Sequence, residues 1–167
     1  MKVACNASPL IWLSQTGHFA LLQHLFEAVM ITPEVWAETV GRAAGYPNAE
    51  NVRAACEAGW MAVVAPHDAN KVAVLQAHLH AGEAETLVMA YEQGVEAVLV
   101  DDLHARHFAT AMGLRVMGTA GLLVFAYEKG LYVDVPATLD IMRSRGFRLA
   151  DTVYQAIVQR ARNTPRS

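Results

Sequence analysis

The chain has 167 residues, of which 54% are apolar and 17% charged, and its formal net charge is −3. That length suits one domain with a substantial core. No uninterrupted apolar run reaches the roughly 18 residues that a membrane helix needs, so no membrane partner is expected, and the net charge argues against a strong polyanion binder overall. Cys5 and Cys56 are too few for a disulfide framework. With no basic N-terminus leading into an apolar stretch and a cleavage site, the expected location is the cytoplasm.

In chain order, Lys2–Cys5 reads as a short buried strand, ended by Asn6-Ala7-Ser8-Pro9. Ser8 suits an N-cap and Pro9 the first helical position. The helix Pro9–Thr16 stops at Gly17, and a second helix covers His18–Phe26. Ala28–Ile31 is the second strand. Thr32-Pro33 repeats the cap-plus-proline start and opens a helix with Glu34 and Glu38 four residues apart, hence on one face. A loop runs from Gly41 to Asn48, Ala49–Ala58 is helical, and Trp60–Ala65 is the third strand.

Asp68–Leu79 reads as a helix, His80-Ala81-Gly82 interrupts, and Glu83–Gln93 is helical with Glu85 in its first turn. Val95–Val100 is the fourth strand, Leu103–Met112 a helix, Leu114–Met117 a fifth short strand, and Ala120–Lys129 a helix opened by Gly118-Thr119. Strand and helix alternate over residues 1–130, which implies a parallel sheet with helices on both faces. The tail carries two further helices, Pro136–Arg145 and Leu149–Arg162, a helical hairpin over 134–167 that extends the α/β domain of 1–133. Six of the 13 basic residues lie in the last 25, against one acid, Asp151. This allows a local basic surface, or a solvated tail with cations near a helix end.

The chemistry centres on VEAVLVDDLHARH, residues 95–107. The apolar run Ala97 to Val100 ends in Asp101 and Asp102. Acids at the carboxyl end of a buried parallel strand sit where open α/β sheets bind ligands. Two neighbouring carboxylates are costly to hold ionised without a cation. Asn6, Glu38, Glu85, Asp101 and Asp102 all fall near strand ends or helix starts. Oxygen donors without a sulfur or histidine cluster suit Mg²⁺ or Mn²⁺.

Plain structural readings stand beside these. Asn6 suits a turn, Ser8 a helix cap, Glu34 a solvated first turn and Glu83 a first-turn acid facing the dipole. One of Asp101 and Asp102 can cap the next helix. His104 and His107 are three apart and share a face, but lack the further nitrogen or sulfur that a zinc site needs. Trp12, Trp36 and Trp60 read as core residues, with Trp36, two before Glu38, the one nearest to a site.

The segments NASPLIWL, TPEVWAETV, GEAETLVMA, VLVDD and GLRVMGTAGLL occur in the order and at the intervals found in PIN-domain proteins. The chain resembles the branch with a "(D/N)-(T/A)-S-P-L-I" start and a "G-E-A-E" helix, which is similar to VapC-type ribonuclease toxins. The resemblance covers Val3 to Gln159. GEAE, DD and GT are fairly specific together and weak singly.

It implies a five-stranded parallel sheet in the order 3-2-1-4-5, with strands 1 and 4 adjacent at the topological switch. It also implies Mg²⁺- or Mn²⁺-dependent hydrolysis of RNA, a small antitoxin partner and a homodimer. The family's acidic quartet falls on Asn6, Glu38, Glu85 and Asp102, with Asp101 beside it. Metal ligands are then Asn6, Glu85, Asp101 and Asp102. Catalytic groups are Glu38, Glu85 and Asp102, and Ser8, Thr119 and His104 would touch substrate. The chain departs at Asn6, where most PIN nucleases carry aspartate. The amide oxygen can coordinate a cation but brings no charge and cannot act as a base. The alternative is a PIN-like module that binds RNA or protein without catalysis.

Overall fold

A computed structural model describes residues Met1–Asn163. The chain runs β1 (Lys2–Cys5), α1 (Ala7–Gln15), α2 (Leu21–Leu25), β2 (Ala28–Ile31), then α3 (Pro33–Trp36) continuing into a π-helical turn (Ala37–Gly41). It goes on through α4 (Pro47–Glu57), β3 (Met61–Val63), α5 (Ala69–Gln76), α6 (Ala81–Gln93), β4 (Ala97–Leu99), α7 (Leu103–Ala111) and β5 (Val116–Met117). The helices α8 (Thr119–Glu128), α9 (Val135–Ser144) and α10 (Asp151–Asn163) follow. All pairings in the sheet are parallel and the strand order is β3-β2-β1-β4-β5, as the resemblance implied.

The order explains the layers. From β1 the chain steps outward through β2 to β3, then returns to place β4 on the other side of β1 and steps outward again to β5. Right-handed crossovers in opposite directions put helices on opposite faces. Accordingly α1 packs with α4, while α5 and α7 pack on α6. The α6 face buries Ala4, Val98 and Val100 from the strands against Leu87, Ala90, Ala105 and Ala109. Side chains alternate along a strand, so Val3, Cys5 and Leu99, all buried, face the other way. That alternation later sends Asp101 and Asp102 in different directions.

Several boundaries differ from the sequence reading. α1 starts at Ala7 with Asn6 as its flanking residue, so Ser8 is not the cap. The backbone N–H of Asn6 donates to the carbonyl of Leu99 at 3.0 Å, which ends β1 and turns the chain one residue beyond the strand. Pro9 then falls at the third helical position, where its missing N–H is still one of the unpaired first-turn donors. α6 begins at Ala81 rather than Glu83. The third strand shrinks from Trp60–Ala65 to Met61–Val63, an edge strand with two of its three residues exposed. The second helix shrinks from His18–Phe26 to Leu21–Leu25.

The chain divides into two compact units, Met1–Met117 with the whole sheet and Gly118–Ser167. In the second unit α10 packs on α8 and α9. Arg160 Nε pairs with Glu128 Oε1 at 2.6 Å, Arg143 pairs with Asp151, and the Tyr154 hydroxyl donates to Asp140 at 2.6 Å. Two arginines of the expected basic surface are therefore in ion pairs, and Arg166 lies outside the described residues. Among the described residues no helix is long and apolar enough to cross a membrane.

Candidate active site

The topological switch between β1 and β4 leaves a cleft at the carboxyl ends of the two strands, where such sheets bind ligands. A cavity of about 550 Å³ opens there, lined by Asn6, Ser8 and Trp12 from β1–α1, Glu34 and Glu38 from the α3 region, and Glu83 from α6.

Asn6 lies two residues beyond Ala4 and so points to the α6 side. Its side chain is 7% exposed, and its Oδ1 is buried with no hydrogen-bond partner. A buried carbonyl without a donor costs on the order of 1–3 kcal/mol. Gly82, in the first turn of α6, closes in from above. A Cβ built on Gly82 would collide with Glu38 Oε1 and stand 3.5 Å from Asn6 Oδ1. The backbone of α6 approaches the two side chains that closely, so any side chain at this position would push the end of Glu38 aside.

Glu38 owes its position to an irregularity. Thr32 caps α3 by accepting from the Val35 amide, but after Trp36 the helix widens into the π turn, with the Arg42 amide donating to Ala37 O at 2.7 Å. Thr39 donates its hydroxyl to Val35 O, and the buried Asn48 side chain donates to Thr39 O at 2.8 Å, so the widened turn is held by internal bonds. Such π segments recur at functional sites. Burial pushes the Glu38 carboxyl up from its ordinary value, Glu34 adds to the rise, and Arg42 pulls against it. Glu83 raises it further and His80 lowers it. Glu34 itself is paired with Arg42 at 2.5 Å.

The two adjacent aspartates separate as strand alternation requires. Asp101 turns toward α1, where the Ser8 hydroxyl donates to its Oδ2 at 2.8 Å. Freed from capping, Ser8 serves to fix Asp101. Asp102 turns the other way and caps α7, accepting from the Ala105 amide at 2.9 Å. It lies close enough to Glu83 to raise the Glu83 carboxyl, which burial has already raised, while the neighbouring His80 and His104 lower it. Asp102 and His104 are exposed, and neither is among the residues that line the cavity.

Glu83 is the residue that the sequence reading passed over in favour of Glu85. Glu83 lines the cleft with Glu38 and faces Asp102, with its Oε2 accepting from the His80 amide at 3.1 Å. Glu85, two residues on, is on another side of α6. Its Oε2 accepts from the Glu34 amide at 3.1 Å and so ties down the start of α3. Glu83 and Glu85, two residues apart, fall on different sides of the helix wherever it begins. Trp12 lines the cleft, whereas Trp36 is not among its lining residues. Thr119, fully buried at the start of α8, belongs to the second unit.

A family model described as "PIN domain" matches residues 2–163. The chain is a PIN-domain protein. The match and the sheet order agree on the fold; the narrower toxin branch is not separated by it. No curated protein matches the chain. A PIN domain is a nuclease-type fold that generally works with divalent metal ions, which sets the coarse class of this chain as a nuclease-like hydrolase acting on nucleic acid.

The donors fit such an ion in kind. An unpartnered buried amide oxygen and crowded carboxylates, two of them held above their ordinary values, are what a hard cation relieves. Among the described residues no group of three or more His, Cys, Asp or Glu stands ready to hold a metal. Water would complete the coordination, as Mg²⁺ commonly keeps several of its own waters.

Proposed function

We propose that this PIN-domain protein is a Mg²⁺- or Mn²⁺-dependent ribonuclease that hydrolyses RNA phosphodiester bonds. The observation that carries the reading is that Glu38 and Glu83, both held above their ordinary values, line one cleft with Asn6, whose buried Oδ1 has no partner. A divalent ion, when bound, would lower the pKa of a water and offset phosphate charge.

Asn6, Glu83 and Asp102 would hold it, with Asp101 kept in line by Ser8. Glu83 thus takes the ligand role that the resemblance gave to Glu85. Glu85 acts one step out, by fixing the segment that carries Glu38. Glu38, half-buried and with a raised affinity for protons, orients the attacking water or takes its proton. His104, exposed beside Glu83, is placed to meet a phosphate. A toxin role, a small antitoxin partner and a homodimer rest on the motif resemblance alone.

The test is cleavage of RNA with Mg²⁺ or Mn²⁺ by the wild type, Glu83→Gln and Asp102→Ala. Loss in both variants supports the assignment, and equal activity in all three overturns it. A second reading, a PIN module that binds without cutting, is favoured by the neutral Asn6 and by the lack of a ready three-group cage. Calorimetry with Mn²⁺ separates the two. Binding that weakens in Glu83→Gln supports the nuclease; no heat at millimolar ion, together with no cleavage, supports the module.

A further inference from the structure

We propose that Glu34 is a positioning residue of the cleft: it holds the Arg42 guanidinium and so keeps it off Glu38, whose carboxylate stays free to meet a cation and an attacking water. The inference rests on the nuclease reading above and names what keeps one of its acids available.

Glu34 and Glu38 both line the cleft, the first from α3 and the second from the π turn that continues it. Arg42 flanks the end of that turn. Its Nη2 donates to Glu34 Oε1 at 2.5 Å, across eight residues of chain. Glu38 is nearer in sequence. It precedes Arg42 by four residues, the order and spacing at which helical ion pairs form. Yet the Glu38 carboxylate makes no hydrogen bond or ion pair among the described residues. Its Oε1 lies instead against Gly82, on the side of Asn6 Oδ1.

Glu34 and Glu38 are the two carboxylates whose charge bears on Arg42. With the Glu34 side chain removed, Glu38 is the acceptor left to the guanidinium. A guanidinium there would neutralise Glu38, occupy the lone pairs that a cation or a water needs, and draw the carboxylate away from Asn6. The Arg42–Glu34 pair is itself too exposed to add much stability, with the arginine 60% and the glutamate 29% accessible. Its consequence is where it puts the positive charge. The start of α3 does not depend on the Glu34 side chain, because its tie to Glu85 runs through the Glu34 backbone amide. A substitution at Glu34 therefore tests the side chain alone.

The experiment compares RNA cleavage with Mn²⁺ by the wild type, Glu34→Ala, Arg42→Met and the double variant, and determines a crystal structure of metal-free Glu34→Ala. Glu34→Ala should lower kcat by roughly 10- to 100-fold with KM little changed. Arg42→Met should keep kcat near the wild-type level, and adding it to Glu34→Ala should restore most of the loss. Support for the fold by Glu34, or direct contact of Glu34 with the ion, gives no such rescue. The metal-free structure of Glu34→Ala should show Arg42 on Glu38. Should Glu34→Ala fold poorly, Glu34→Gln with and without Arg42→Met makes the same comparison with the side-chain shape kept. A double variant no better than the Glu34 variant alone, or an Arg42 that stays off Glu38 in the metal-free structure, overturns the positioning role and leaves the nuclease in place. A wild type that cuts no RNA removes both.

Discussion

Two groups of carboxylates in the same α/β unit are treated in opposite ways. Near the start of α5, Glu92 accepts from the backbone amides of His67 and Asp68, each at 2.8 Å, and lies 3.2 Å from His67 Nδ1. Those donors hold its carboxyl below the ordinary value, the His67 amide most of all. At the carboxyl ends of β1 and β4, Glu38 and Glu83 are pushed up by burial and by other acids. One acid is neutralised by the fold and stabilises it. The others are left under-compensated, which costs stability and stores affinity for a cation. A carboxylate that the fold does not satisfy is the stronger mark of a site.

The largest effect follows from removing an under-compensated acid. Glu83→Gln and Glu38→Gln should each lower RNA cleavage by at least about 100-fold, since loss of groups that only orient metal ligands already costs 10- to 100-fold. The stability change should have the opposite sign. A carboxyl whose folded pKa is raised carries a penalty that is absent below its unfolded pKa and complete above its folded one. Metal-free wild type should therefore lose stability as pH rises above about 4.5, and each Gln variant should melt higher at neutral pH. Thermal melts in chelator, compared with melts in Mn²⁺, measure this; a lower melting temperature for both variants in chelator would sink the comparison.

Next in size is Gly82→Ala. The new Cβ must displace the end of Glu38, which is a cheap movement for a flexible side chain. Alanine also raises helix propensity by up to about 1 kcal/mol. Stability should stay level or rise while cleavage falls by roughly 10- to 100-fold. Retained activity would show that the exact place of Glu38 does not matter.

A smaller loss is expected for Ser8→Ala, which removes the hydroxyl that donates to Asp101. Stability should fall by about 1 kcal/mol, and Mn²⁺ affinity by a few-fold, because Asp101 keeps its place in the chain and loses only its orientation.

These residues also mark what could be read from sequence. The run Ala97 to Val100 ended by two aspartates located the cleft, because a doubly buried strand has few other patterns. The strand order came from the motif resemblance rather than from periodicity. The choice between Glu83 and Glu85 depends on which side of α6 faces the sheet ends, and spacing within the helix does not reveal that. The π turn under Glu38 is held by Asn48, nine residues from Thr39, and local spacing carries no trace of it.

The smallest effect on function belongs to the satisfied acid. Glu92→Gln keeps the shape but removes the charge that faces two backbone amides. Cleavage should not change, since Glu92 does not line the cleft. Stability should fall slightly at neutral pH. Its pH dependence should change in the sense opposite to that of the cleft acids. A carboxyl whose folded pKa is depressed contributes stability above its unfolded pKa, and that contribution is lost as pH falls through the folded one. The difference between wild type and variant should therefore be widest above about pH 5 and close in more acidic solution. If Glu92→Gln instead melted higher at neutral pH, as Glu83→Gln should, the two groups of acids would not differ in kind.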